Sequence, residues 1–185
     1  HLQRHLFEYV AQHWTRRDEG IWEMRGPSRH FTHSKVMAWV AVDRAIRSVE
    51  ECGLEGDVAA WKHLRAAIHA DVCEKGFDHE RGSFVQAYGS RLLDASLLLI
   101  PLVGFLPPDG ARVLGTVAAI ERELVVDGIV RRYDTAATDD GLPPGEGAFL
   151  ACSFWLADTL ALIGRTSDAE ALFRRLLKLR NDVGL

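Results

Sequence analysis

Apolar residues recur every three or four positions along most of this chain, a spacing that predicts helices separated by loops. Leu2, Leu6, Tyr9, Val10 and Trp14 fall in phase and define a first helix ending before Arg16. Val36, Met37, Val40, Val42, Ile46 and Val49 mark the buried face of a second, from about Ser34 to Cys52, which Gly53 stops. Val58, Trp61, Leu64, Ile68 and Val72 place a third from Asp57 to about Lys75, ended by Gly76. The pattern then lapses. Ser83 to Tyr88 reads as a short strand for which the chain offers no partner. Leu92 to Ile100 is a short apolar helix closed near Pro101, and Asp109 can cap a helix reaching about Leu124. Ala148 to Ile163 and Ser167 to about Leu179 complete the set, with Ser167 and Glu170 spaced as a capping box.

About seven helices result, with two long loops, 16–32 and 126–146. Both loops are rich in charge and glycine, and long ordered loops in a compact helical domain usually carry function. No internal repeat, low-complexity tract or linker interrupts the chain, so it reads as all-α and as one unit.

Composition narrows the partners. The chain has 185 residues, 48% hydrophobic and 26% charged, enough apolar material for a packed core. A net charge of −4 argues against a nucleic-acid binder working by charge alone. The longest apolar stretch, about Leu92 to Leu106, contains Asp94 and Pro101 and is shorter than the ~20 residues a membrane helix needs. Cys52, Cys73 and Cys152 form no paired motif, which suits a reducing compartment. With no leader-like start, the expected location is the cytoplasm. The opening His1-Leu2-Gln3-Arg4-His5, without Met, suggests a segment of a longer protein.

Two carboxylates stand out. Glu23 sits beside Trp22 in a glycine-flanked loop, where an aromatic neighbour and desolvation suit a general acid. Glu146 lies between Gly145 and Gly147 at the start of an apolar helix, where the helix N-terminus favours the ionised form expected of a general base or nucleophile. Taken singly, the first also reads as a surface loop with Glu23 paired to Arg25, and the second as an ordinary acidic first turn. Together, with Trp, Tyr and Arg around them, they have the composition of a glycosidase site.

The runs Gly20-Ile21-Trp22-Glu23, Arg29-His30-Phe31-Thr32-His33-Ser34-Lys35-Val36-Met37-Ala38-Trp39, Leu93-Asp94-Ala95-Ser96-Leu97-Leu98, Arg132-Tyr133 and Gly145-Glu146-Gly147-Ala148-Phe149-Leu150 occur in this order. They resemble the family 15 glycoside hydrolases, which include glucoamylases, glucodextranases and bacterial trehalases. The resemblance spans nearly the whole chain. It implies part of an (α/α)6 toroid of inner and outer helices, with the upstream helices and the final helix of the family's domain not matched. It also implies inverting cleavage of terminal α-glucosidic bonds in trehalose or malto-oligosaccharides, without a cofactor or metal. Glu23 matches the general acid, Glu146 the general base and Arg132 a sugar-binding arginine. Trp22, Lys35 and Trp155 match positions around the substrate. Apolar faces at the two broken edges of such a partial toroid would favour self-association.

Other readings carry less. His30 and His33 lack a third metal ligand at suitable spacing. Asp134, Asp139 and Asp140 do not follow the alternation of a calcium loop. The competing function is a non-catalytic helical array acting as an interaction module, but such arrays show a fixed repeat period that is missing here.

Overall fold

The computed structural model describes residues 2–135 and 148–181, with side chains from residue 5 onward. Its elements, in order, are α1 (Leu2–His13), α2 (Thr32–Cys52), α3 (Val58–Lys75), the strands β1 (Phe77–Asp78) and β2 (Ser83–Phe84), a 3-10 turn Ala95–Leu98 leading into α4 (Leu99–Leu102), α5 (Ala111–Leu124), β3 (Val125–Val126), β4 (Ile129–Val130), α6 (Leu150–Leu162) and α7 (Thr166–Leu177).

Two helix pairs each join a helix with a broad buried face to one that buries little. α2 buries Val36, Trp39, Val42 and Ile46, whereas its partner α3 buries only Ile68 and Val72. α6 buries Cys152, Leu156, Ala157 and Leu160, whereas its partner α7 buries Ala169 and Leu176. α1 lies against α2, and Phe7 meets Trp61 of α3 with ring centroids 4.4 Å apart. The 3-10 turn and α4 sit between α2 and α6 and pack on both. One apolar core runs through all of these elements. α3 lies against α2 and α7 against α6, and the 3-10 turn and α4 join the two pairs.

The caps follow sequence in some places and depart in others. Gly53 takes a left-handed φ of 67° and returns its N–H to Val49, as a glycine stop should. Asp57 caps α3 by accepting from the Ala60 N–H. The cap of α5 is Gly110, with no side-chain bond from Asp109. The Ser167–Glu170 capping box does not form: α7 begins at Thr166, and Glu170 instead accepts from Arg174 one turn on. Asp168 is held by Arg165.

Two short hairpins follow α3 and α5. Ser83–Phe84 has a partner after all, Phe77–Asp78, and the Asp78 side chain closes the turn by accepting from the N–H groups of Glu80 and Arg81. Val125–Val126 pairs with Ile129–Val130 through Asp127 and Gly128, both at positive φ, the two-residue turn that an Asp-Gly pair favours. Buried hydroxyls fasten these irregular segments to the helices. Thr116 of α5 accepts from the Phe84 N–H, Ser153 of α6 accepts from the Val130 N–H, and Thr159 donates to the Leu98 carbonyl. A buried backbone group without such a partner would be costly.

Candidate functional site

Three loop segments meet at one end of the helices. Each is joined by a single pair of extended residues. Asp18 bridges Arg29, Phe31 bridges Ala87, and Asp94 bridges Tyr133. The first bridge closes the 18–29 loop at its neck through two backbone hydrogen bonds of 2.9 Å. The Asp18 carboxylate reinforces the neck by accepting from the Gly20 N–H and the Ser34 hydroxyl. Gly20 is required here on two counts. Its φ is +71°, and a Cβ would stand 2.9 Å from the Phe31 ring.

Lys35 belongs to this neck. Its ammonium, nearly excluded from solvent, donates to the Trp14 carbonyl at 2.6 Å and to the Arg16 carbonyl, with Asp18 at 4.0 Å. Burial pulls its pKa below the usual lysine value, against the opposing charge of Asp18. The side chain therefore ties the end of α1 to the start of α2 and supports the loop from behind.

The loop presents Trp22 and Glu23 at its far side. Glu23 is exposed and adopts φ +50°, an uncommon conformation for a residue with a side chain. Its N–H donates to the Gly20 carbonyl, and the Met24 N–H donates to the Glu19 carbonyl. The Trp22 indole N–H lies 3.0 and 2.9 Å from the two oxygens of Asp94. Asp94 is 3% exposed and also accepts from the Gln86 amide at 3.1 Å and from the Ser96 N–H at 2.8 Å. Among the described residues each of these donors is neutral.

Around the indole the chain assembles an aromatic wall. Trp155 lies 6.1 Å away, Phe149 5.8 Å edge-on and Tyr133 6.4 Å, between ring centroids. The Arg132 guanidinium stands 5.4 Å from the Trp22 ring centre and 5.3 Å from that of Tyr133, within cation–π range. Phe149 is 49% exposed, at the rim. The charge of Asp94 reaches further. It acts on His33, whose pKa burial nonetheless holds below the usual histidine value. It also acts on Cys152, whose thiol burial pushes up to about 12.

The structure thus gathers Trp22, Arg132 and Trp155 beside Glu23 and sets Lys35 behind the loop. Glu146, with Asp139 and Asp140, lies outside the described residues. Among the described residues no group of three or more His, Cys, Asp or Glu could hold a metal ion, and no helix is long and apolar enough to cross a membrane. Asp94, Gln86, Tyr133 and Phe149 were not singled out from sequence. Asp94, Tyr133 and Phe149 lie within the runs that carry the family resemblance, but the partner of Asp94 is 72 residues away.

Fold and loops together define a helical-toroid segment whose loop end carries an arginine-lined aromatic wall beside an exposed carboxylate. The model of glycosyl hydrolases family 15 matches residues 1–183, and the chain belongs to that family. It is 49% identical over 176 residues to a trehalase of Mycobacterium tuberculosis, covering 95% of this chain and 26% of that protein. It is 41% identical over 192 residues to a trehalase of Thermoplasma volcanium, covering 100% of this chain and 30% of the relative. The chain therefore spans between a quarter and a third of the length of these relatives. Among solved structures it superposes on a glycosidase variant in complex with glucose with a TM-score of 0.81 at 25% identity, over 95% of this chain and 45% of that one. The same glycosidase in its wild-type form gives the same TM-score. A free-standing interaction array is not favoured by these neighbours.

Proposed function

We propose that this chain forms part of the catalytic domain of an inverting α-glucosidase, with trehalose as the preferred substrate and malto-oligosaccharides as the alternative. The observation that carries the reading is the placement of Glu23 next to an indole that Asp94 holds and Arg132 covers. The relatives named as trehalases favour trehalose among the α-glucosides.

In this reading the terminal glucose rests against Trp22 and Trp155, with Arg132 donating to its hydroxyls. Glu23 gives its proton to the glycosidic oxygen as the C1–O bond breaks. Glu146 takes a proton from a water that attacks C1 from the opposite face. The new C1–O bond has inverted configuration, and the second sugar leaves with the proton from Glu23. Inversion requires the two carboxyl groups about 6.5–9.5 Å apart, to admit that water.

Proton NMR of fresh product tests this directly. Trehalose has two α-linked glucoses, so inversion releases one β-glucose and one α-glucose per turnover before mutarotation. Two α-glucoses would mean retention and would remove Glu146 from the role of base. Glu23→Gln, in the chain expressed from its complete gene, is expected to lower kcat by about 10²–10⁴-fold. Wild-type turnover in that variant would show that the acid is another residue.

A further inference from the structure

Glu23 is exposed and, among the described residues, no side chain bonds its carboxylate. Its direction is therefore set through the backbone, and that backbone is in an unfavourable conformation at φ +50°. Such a conformation persists only where neighbours impose it. The residue before it, Trp22, is the neighbour with a rigid tether, since its N–H is shared by both oxygens of a carboxylate that is itself immobile. Asp94 is immobile because it caps the 3-10 turn through Ser96, accepts from the buried Gln86 and pairs with Tyr133 along the backbone. The next N–H, that of Ala95, donates to the Arg132 carbonyl at 2.7 Å.

From this geometry we infer that Asp94 is a positioning residue for hydrolysis: its bond to the Trp22 indole fixes the direction in which Glu23 presents its carboxyl group, in register with Arg132. The inference rests on the proposed role of Glu23. Asp94 touches no reacting atom; it acts through Trp22. Carboxylate-to-indole bonding also increases the electron density of the ring that Arg132 covers, so one bond couples the acid's placement to the arginine's.

A double-mutant cycle on the chain from its complete gene tests this, with trehalose as substrate. Asp94→Leu keeps the approximate volume and removes the acceptor of the Trp22 N–H. Trp22→Phe keeps a ring and removes the N–H. Each single change is expected to lower kcat about 10- to 100-fold, with KM altered less than about threefold, because a displaced acid costs rate rather than binding. The double variant should be little worse than either single one, as expected when both break the same bond.

A purely structural Asp94 would lower the melting temperature and leave kcat per folded molecule unchanged. That result, multiplying losses in the cycle, or a rise in KM alone would overturn the inference while leaving the acid assignment intact. If Asp94→Leu is not recovered folded, an unchanged kcat in Trp22→Phe overturns it equally. If the wild-type chain hydrolyses no trehalose or maltose, or Glu23→Gln keeps its rate, the acid assignment falls and the role of Asp94 falls with it.

Discussion

Asp43 and Asp94 are almost equally buried, at 2% and 3% exposure, yet they live in opposite surroundings. Asp43, midway along α2, is gripped by three guanidinium groups: Arg44 at 2.6 Å, Arg47 at 2.9 Å and Arg65 at 2.7 Å. Asp94, at the loop end, is bonded by an indole, an amide and a peptide N–H. In the first case the charge is neutralised where it stands and ties α2 to α3. In the second the donors stabilise the carboxylate without cancelling its charge, and the field extends to His33 and Cys152. Burial alone therefore does not mark a functional carboxylate. The chemistry of its donors separates a scaffold rivet from a group that organises a site.

That contrast can be broken by substitution. The largest stability effect should come from Asp43→Ala, which removes the common partner of three arginines. A loss of about 3 kcal/mol is expected, read as a lower urea midpoint, with kcat for trehalose unchanged. A marked fall in kcat at full folding would make Asp43 part of the site and erase the distinction. A smaller effect, about 1–3 kcal/mol, is expected from Lys35→Met, which leaves the Trp14 and Arg16 carbonyls without their donor. If Lys35 only supports the neck, KM for trehalose stays near the wild-type value; a large rise in KM would put its ammonium on the sugar.

The smallest effect concerns pH. Burial lowers the folded pKa of His33 below its ordinary value of 6.5, so as pH falls through 6.5 the unfolded chain takes up the proton first and the fold loses stability. His33→Gln should make the drop in melting temperature between pH 7.5 and 5.5 shallower. An unchanged slope would assign the acid sensitivity to other groups, such as His30 or His69, which burial shifts the same way.

The helical body was legible because its signals are local. The in-phase apolar positions of α2 needed only a 3.6-residue period, α6 announced itself as an apolar run, and Gly53 marked its own stop. The hairpin at Asp127-Gly128 was also legible in principle, from an Asp-Gly pair flanked by Val125-Val126 and Ile129-Val130, but strands of two residues give no alternation to recognise. Pro101 stands next to the last residue of α4, near the helix end where the sequence places it. Glu23 beside Trp22 stood out from the residues themselves, as a carboxylate next to an indole in a glycine-flanked loop, whereas Arg132 and Trp155 came only through the family resemblance. The Asp94–Trp22 bond could not be read locally because its two ends are distant in sequence. The resemblance set Lys35 among the positions around the substrate, and its carbonyl partners in the α1–α2 connection are visible only in the folded chain.

The single-bridge joints between the loops have a consequence for how the molecule assembles and fails. Each joint contributes few bonds, and two of them link remote stretches of chain, so each closes only after the helices it hangs from have docked. Assembly of the loop end is therefore a late event. In warming it is the early casualty: the loops can part in a local opening while α2, α3, α6 and α7 keep their helices. Loop contacts and helix content then have separate melting curves, and a heat-treated sample can retain its full far-ultraviolet circular dichroism after its loop end has come apart.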